Sequence, residues 1–178
     1  MNRKLIGLGI ILILVSVGLS GCNEKESDVN DDNEKELNEQ EEEQEEEEEK
    51  YSEFVEWKEE TDDWLEMKYS QVLDSGGDED FDDALYYANQ VRENLDLYIN
   101  ECRDFYLVGT LDSARDEYID YLNELDYAYK EFEFAIENWD IGFVLNGNQH
   151  WDKGLEFRIS AYTYLDNCNQ YIEDWKNE

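Results

Sequence analysis

The sequence predicts an all-α protein, an up-down-up-down four-helix bundle, over residues 51–178. Two observations support this fold. Apolar residues recur at steps of three and four along four long stretches, as on one face of a helix, with no strand-type alternation. Short glycine-containing breaks separate the stretches, and short connections make successive helices antiparallel neighbours. The breaks are Ser75-Gly76-Gly77, Val108-Gly109-Thr110 and Asn146-Gly147-Asn148.

The first predicted helix, residues 51–74, has the least regular apolar face. Phe54, Leu65 and Val72 follow helical spacing, but the polar stretch 59–63 interrupts them. An alternative to the simple bundle is therefore a three-helix core made by the second to fourth helices, with the first helix packed outside it.

The second, third and fourth predicted helices, residues 80–107, 113–145 and 149–177, each carry one continuous apolar face. Each is preceded by a polar residue that can cap a helix N-terminus by accepting a backbone hydrogen bond. These cap candidates are Asp78 or Asp80 for the second helix, Asp112 or Ser113 for the third, and Asn148 for the fourth. With 128 residues and all 25 aromatic residues of the chain, the segment has the size of one domain with one core.

The N-terminus of the chain has the layout of an export signal. Two basic residues precede an apolar run over residues 5–15. The segment then ends in Leu19-Ser20-Gly21-Cys22, which resembles the lipobox of prokaryotic (bacterial or archaeal) lipoproteins. This resemblance implies that residues 1–21 are a cleaved signal peptide and that Cys22 carries the lipid.

The alternative is a retained N-terminal membrane helix. Residues 5–21 provide 17 mostly apolar residues, whereas a spanning helix needs about 20. The length and the lipobox resemblance both favour cleavage before Cys22. Under either alternative, we expect the rest of the chain outside the cytoplasm, attached to the membrane through its N-terminus.

Residues 22–50 are predicted to form an acidic, disordered tether. From residue 23 to residue 50 the chain carries 16 acidic residues and three lysines, a net charge of −13, and few apolar residues. Such a segment buries too little surface to offset the entropy of ordering it, and its like charges repel one another. Because glutamate and glutamine are good helix formers, an extension of the first helix over residues 34–50 is the alternative.

The charge of residues 51–178 limits the partners that this domain can bind. The segment holds 33 acidic and nine basic residues, a net charge of −24. Nucleic acid is excluded as a partner because the sequence contains no basic stripe, and anionic lipid headgroups repel the domain. We therefore expect membrane attachment only through the N-terminal lipid, and the sequence does not identify a protein or envelope partner.

Cys102 and Cys168 remain as an even pair if Cys22 is lipidated, and an even pair in an exported domain favours a disulfide. The geometry of a square bundle opposes this bond, because the second and fourth helices are diagonal and a disulfide needs α-carbons within about 7 Å. Two alternatives stay open from the sequence: a disulfide between Cys102 and Cys168, or two separate buried thiols.

No motif in the sequence indicates catalysis, a metal site or a cofactor. His150 is the only histidine, and we expect it at the surface near a turn. The acidic stretch 74–83 fails as a calcium loop of the EF-hand type, because Asp83 and Asn89 occupy the positions that need glycine and glutamate. We therefore expect no enzyme activity, no defined metal site and no cofactor.

Three aromatic residues are candidates for an exposed patch that binds protein or sugar. Helical geometry places Tyr86 on the second helix, and Tyr127 and Phe134 on the third, away from the apolar faces. The leading functional prediction is a non-enzymatic surface lipoprotein that presents an acidic helical bundle for interaction. The alternative is an extracytoplasmic solute- or cation-binding module.

Overall fold

The structure, a computed structural model, describes the backbone of residues 30–177 and the side chains of residues 48–177. It contains four α-helices: α1 (Asn30–Gly77), α2 (Phe81–Asp104), α3 (Thr110–Asp140) and α4 (Val144–Trp175). No strand occurs among these residues, so the predicted all-α class is confirmed. The lipobox and Cys22 lie outside the described residues. The chain divides into two compact units after Asn38, and the bundle belongs to the second unit.

The four helices pack in sequence order, each antiparallel to the next, and α4 also packs on α1. One contact from each neighbouring pair shows this order: Trp64 with Tyr98 (ring centroids 5.6 Å apart), Cys102 Sγ with the carbonyl oxygen of Arg115 (3.8 Å), Phe132 with Trp151 (4.5 Å) and Tyr51 with Trp175 (4.2 Å). Since α2 and α4 each pack against α1 and α3, they lie across the bundle from one another. The predicted up-down-up-down bundle is therefore confirmed.

The bundle has two ends, which contain different parts of the chain. At the proximal end the chain enters the bundle at Tyr51, whose ring stacks on Trp175. At the distal end lie the α1–α2 and α3–α4 turns, where the rings of Phe81 and Trp139 are 6.4 Å apart. At a rise of about 1.5 Å per residue, α1 from Tyr51 to Gly77 is roughly 40 Å long, so the two ends are far apart.

α1 is a full member of the core rather than an outer helix, so the three-helix alternative does not form. Phe54, Leu65 and Val72 are at most 2% exposed. The polar stretch that interrupts the apolar face of α1 is accommodated inside the bundle. Lys58 and Thr61 occupy the core positions between Phe54 and Leu65, and they are only 6% and 4% exposed.

Lys58 is compatible with the core because its charge is paired there. Its Nζ atom lies 2.9 Å from Asp62 Oδ2, and Asp62 Oδ1 accepts a hydrogen bond from the Tyr118 hydroxyl at 2.8 Å. Such pairing is what makes a buried charge tolerable. Burial raises the pKa of Asp62, although the Lys58 ammonium and the Tyr118 hydroxyl both act to lower it.

α1 begins at Asn30, well before the start predicted at residue 51. Residues 34–50, the alternative extension of the first helix, are therefore helical, and residues 30–50 do not form an irregular tether. The physical reason is composition, because glutamate, glutamine and lysine lose little side-chain entropy in a helix. This preference offsets the repulsion between their like charges.

The third break does not lie at Asn146-Gly147-Asn148, where the sequence predicted it. α3 ends at Asp140 and α4 begins at Val144, so Gly147 lies inside α4. The left-handed conformation in the turn is supplied by Gly142, whose φ angle is 83°. Gly147 instead faces α3, where a Cβ atom would lie 2.3 Å from the ring of Trp139. This glycine permits close helix packing and does not end a helix.

α3 and α4 approach each other along a line of small residues in α4. Gly147, Gly154, Ala161 and Cys168 recur every seven residues and are all buried. Residues at this spacing lie on one face of a helix. At Gly154, a Cβ atom would lie 2.5 Å from the ring of Phe132. The close contact between α3 and α4 therefore depends on the absence of larger side chains at these positions.

The first two breaks lie close to their predicted positions. Asp80 caps α2, and its Oδ1 atom accepts a hydrogen bond from the backbone N–H of Asp83 at 3.2 Å. α2 ends earlier than predicted because Phe105 leaves the helix in an extended conformation, with a ψ angle of 115°. α3 begins at Thr110, directly after Gly109 with a φ angle of 60°. The two cap candidates predicted for α3 therefore lie inside its first turn.

Candidate interaction site

The α3–α4 turn and the start of α4 form a contiguous exposed apolar segment. Residues 141–145, here called the distal turn, have the sequence Ile-Gly-Phe-Val-Leu. The side chains of Ile141, Phe143, Val144 and Leu145 are 66%, 60%, 57% and 80% exposed. Single exposed apolar residues are ordinary, whereas a contiguous group of them is typical of a contact surface.

Hydrogen bonds hold the backbone of the distal turn against the end of α3. The N–H of Gly142 donates to the carbonyl of Trp139 at 3.0 Å, and the N–H of Phe143 donates to the carbonyl of Asn138 at 2.7 Å. On the α4 side, the Trp139 indole N–H donates to Asn148 Oδ1 at 3.0 Å. The apolar side chains therefore project from a fixed backbone, which reduces the entropy lost when a partner binds.

Carboxylates lie beside the distal turn. A depression of about 330 Å³ beside it is lined by Phe81 and five acidic residues, namely Asp78, Glu79, Asp80, Asp82 and Asp140. An adjoining groove of about 210 Å³ includes Ile141 of the turn itself together with Phe81, Leu85 and Ile136. None of the residues that line the two depressions is basic. The site is thus an apolar protrusion and groove with an acidic rim.

The sequence analysis did not predict this site, because it assigned residues 141–145 to the end of the predicted third helix, residues 113–145. A signal was present: four of the five residues in the distal turn are apolar. That density exceeds what one face of an amphipathic helix can bury. An apolar run that breaks the helical period next to a glycine therefore indicates an exposed turn here.

The three predicted patch residues are exposed but do not form one patch. Tyr86, Tyr127 and Phe134 are 56%, 52% and 41% exposed. Tyr127 and Phe134 face α4, where their rings lie 5.6 Å from Phe157 and 5.5 Å from His150. The contacts of Tyr86 are within α2, with the Tyr87 ring at 5.4 Å and the amide of Gln90 at 2.7 Å.

His150 is half-buried and is one of two basic partners of Glu131 on α3. The Nδ1 atom of His150 lies 2.6 Å from Glu131 Oε2, and Lys153 Nζ lies 2.5 Å from Glu131 Oε1. Burial disfavours the charged form of Glu131, but the hydrogen bonds from His150 and Lys153 outweigh it and lower its pKa. The sequence analysis did not find this pair, which joins α3 to α4 and explains why a carboxylate is buried there.

Cys102 and Cys168 are free thiols in the structure, and both are buried. Cys102 and Cys168 are therefore not joined by a disulfide in the structure, which corresponds to the alternative of two separate buried thiols. The physical reason is the one that the bundle geometry predicted, since α2 and α4 lie across the bundle from each other. Burial raises the pKa of each thiol to about 12, and for Cys102 the neighbouring Cys168 adds to this increase. Such thiols are poor nucleophiles at neutral pH.

Arg158 of α4 forms a second polar cluster, with residues of α1. Its guanidinium lies over the ring of Tyr69 at 3.6 Å, and its Nη2 atom donates to Glu66 Oε1 at 2.7 Å. The Tyr162 hydroxyl donates to the same oxygen at 2.5 Å, and burial with this bond raises the pKa of Tyr162 to about 12. The groups of this cluster satisfy one another, which is typical of a structural contact between helices.

Within the described part of the chain, no group of three or more histidine, cysteine, aspartate or glutamate side chains is arranged to hold a metal ion. Nor does any helix over residues 30–177 combine the length and apolar content needed to cross a membrane. Comparisons of the chain with known protein families, with curated proteins and with solved structures give no match.

Proposed function

We propose that this protein is a non-enzymatic surface lipoprotein, attached to the outer face of the cell membrane by a lipid on Cys22, that binds another protein through the distal turn. The observation that carries the proposal is the exposure of four apolar side chains within a stretch of five residues, on a hydrogen-bonded backbone. These side chains lie at the end of the bundle opposite to Tyr51, where the chain enters. An N-terminal anchor would leave that end free to meet a partner.

The chemistry of the distal end defines the partner. The apolar side chains need an apolar pocket, and the carboxylates of Asp78, Glu79 and Asp80 need basic residues around that pocket. An anionic membrane surface fits poorly, because the net charge of −24 repels it. A second copy of the chain would bring the same carboxylates together. The partner is therefore a protein with an apolar pocket and a basic rim.

A photo-crosslinking residue placed in the full chain tests this proposal in the native cell. One variant carries benzoylphenylalanine at position 145 and a second carries it at position 159. Leu145 and Ile159 are similarly exposed, at 80% and 70%, but Ile159 lies on α4 away from the distal turn. We expect crosslinks to one defined protein from position 145 and none from position 159.

Two substitutions at Phe143 serve as matched variants of the crosslinking chain. Phe143→Asp should abolish the crosslink from position 145, whereas Phe143→Leu should preserve it, because only the first removes apolar character. The purified partner should also bind more weakly at 0.5 M than at 0.05 M NaCl, since salt screens the charged rim. Equal crosslinking from both positions, or crosslinks only to lipid or to a second copy of the chain, would contradict the proposal.

A further inference from the structure

A second concave site lies at the proximal end of the bundle, remote from the distal turn. This site, here called the proximal groove, has a volume of about 400 Å³. Five residues line it: Glu53 and Trp57 of α1, Glu101 and Asp104 of α2, and Phe105 directly after α2. Its size falls within the range of about 300–1,000 Å³ that is usual for small-molecule sites.

Two aromatic rings form the apolar part of the proximal groove. Phe105 is brought there because it leaves α2 in an extended conformation, so its ring lies 5.4 Å from Trp57 and 5.5 Å from Phe54. Trp57 is held in place by the rings of Tyr98 and Tyr118, at 6.4 Å and 5.7 Å. The two rings that line the groove are therefore fixed by the aromatic core before any ligand arrives.

Three carboxylates complete the groove. The indole N–H of Trp57 donates a hydrogen bond to Glu101 Oε2 at 3.1 Å, which holds this carboxylate beside the ring. Glu53 lies one helical turn before Trp57, and Asp104 lies one turn after Glu101, so both carboxylates border the same depression. None of the five lining residues is basic.

We infer that the proximal groove binds a small organic cation, an alkylated ammonium compound. Aromatic faces attract such cations through the quadrupole of the ring, with tryptophan the strongest, and the carboxylates supply the opposite charge. A calcium or magnesium ion would instead need several converging oxygen ligands and gains nothing from the rings. The net charge of −24 raises the local concentration of any cation and thus favours its encounter with the groove.

This binding activity goes beyond the proposed interaction role, because it uses different residues at the other end of the bundle. The two proposals can therefore fail independently. Phe143→Asp, which should abolish partner binding at the distal turn, should leave ammonium binding in the proximal groove unchanged.

Choline and its neutral isostere 3,3-dimethylbutan-1-ol are the probes for this inference. The full chain, in a sugar-headgroup detergent at 0.15 M NaCl, is titrated with each compound, and the indole N–H resonance of Trp57 is followed by NMR. The resonance is assigned by its absence in Trp57→Phe. We expect a saturable shift with choline and no saturable shift with the alcohol, because only choline carries the charge that the rings and carboxylates recognise.

Three substitutions distinguish a specific binding site from general electrostatic attraction, with the affinity for choline measured by calorimetry. Glu101→Gln keeps an acceptor for the Trp57 indole but removes the charge, and it should weaken choline binding about fivefold or more. Trp57→Leu should weaken it about tenfold or more. Glu156→Gln is the control; it removes the same charge from an exposed position on α4 and should change the affinity less than about twofold.

Several outcomes would overturn the inference. Equal affinity for choline and for the neutral alcohol would show an apolar site, and equal losses in Glu101→Gln and Glu156→Gln would show diffuse attraction. Absence of saturable choline binding, or binding of a lysine-containing peptide without binding of choline, would also refute it. Circular dichroism of each variant shows whether the helices are intact, and Glu101→Gln keeps the test valid if Trp57→Leu does not fold.

Discussion

The hydroxyl group of Tyr118 on α3 donates a hydrogen bond to Asp62 on α1, 2.8 Å away, from a side chain with no solvent exposure. α1 and α3 are parallel and lie diagonally across the bundle, so this bond crosses the core rather than joining antiparallel neighbours. Asp62 also pairs with Lys58. The three side chains satisfy one another, which explains how a polar stretch of α1 can be buried without loss of the bundle.

Tyr118→Phe should destabilise the bundle. The ring can still pack against Phe54, but Asp62 loses a hydrogen bond that it accepts as a charged group. We expect the free energy of unfolding to fall by about 1–2 kcal/mol, measured by urea denaturation of the full chain in detergent. Tyr171→Phe on α4, where the side chain is only partly buried, is the control and should change it by less than about 0.5 kcal/mol. Equal effects would show that the Tyr118 hydrogen bond adds no stability.

The stability of the domain should increase on mild acidification. Burial raises the pKa of Asp62, Asp120 and Glu133. A carboxyl group with a raised folded-state pKa contributes stability that is complete below its unfolded pKa, about 4, and is lost as pH rises through the folded pKa. We therefore expect the thermal unfolding midpoint to rise as the pH falls from 7 to about 4, and to rise less in Asp62→Asn.

Glu131 should have the opposite effect, at lower pH. Its pKa is lowered in the fold because the hydrogen bonds from His150 and Lys153 outweigh burial, so its contribution is present above the unfolded pKa and is lost as pH falls through the folded pKa. In Glu131→Gln, the loss of stability relative to the unchanged chain should therefore be larger at pH 7 than at pH 3. A thermal unfolding midpoint that falls between pH 7 and about pH 4 in the unchanged chain would contradict the raised pKa values of Asp62, Asp120 and Glu133.

Gly154→Ala should destabilise the contact between α3 and α4. In an isolated helix this change is favourable by about 1 kcal/mol, but here the new Cβ would lie 2.5 Å from Phe132 and 3.0 Å from the carbonyl oxygen of Ala128. We expect a net loss of about 1–3 kcal/mol in the free energy of unfolding. Gly76→Ala is the matched control, since no heavy atom lies within 4 Å of its Cβ position. Similar stabilisation by both changes would show that α3 and α4 are farther apart.

Cys22→Ser should abolish lipid attachment, because only the thiol can carry the lipid. The prediction rests on Leu19-Ser20-Gly21-Cys22. Mass spectrometry of the protein from its native membrane should show a lipidated N-terminal Cys22 in the unchanged chain, and an uncut precursor or a released protein in the variant. An intact N-terminus with an unmodified Cys22 in the unchanged chain would instead support the retained anchor.

The helices of the bundle could be predicted from the sequence where the spacing of apolar residues alone identifies the buried face. In α2, the buried residues Ala84, Val91 and Leu95 follow helical spacing without interruption, so the core face is evident from the sequence alone. A glycine, by contrast, is compatible with two different structural roles. Gly147 could end a helix or allow a close contact, and only the presence of Trp139 on a neighbouring helix decides between them.

The parts of the molecule that sequence reasoning missed depend on contacts between helices. From the sequence alone, Lys58 would be assigned to the surface. Its burial is explained only by the ion pair with Asp62 and by the hydrogen bond between Asp62 and Tyr118. The pairing of Glu131 with His150 requires the register of α4 on α3, which no periodic pattern specifies. The proximal groove likewise exists only because Phe105 leaves α2 and reaches Trp57 of another helix.

The continuity of α1 through the bundle has a mechanical consequence. A pulling force applied between Tyr51 and the distal turn acts along the axis of α1, so it loads the contacts of Phe54, Leu65 and Val72 in shear and all at once. Unzipping, by contrast, would break them one after another at a lower force. Since forced unfolding is governed by the rate at which the native contacts rupture, this arrangement should resist a load applied between the proposed N-terminal anchor and the proposed partner at the distal turn.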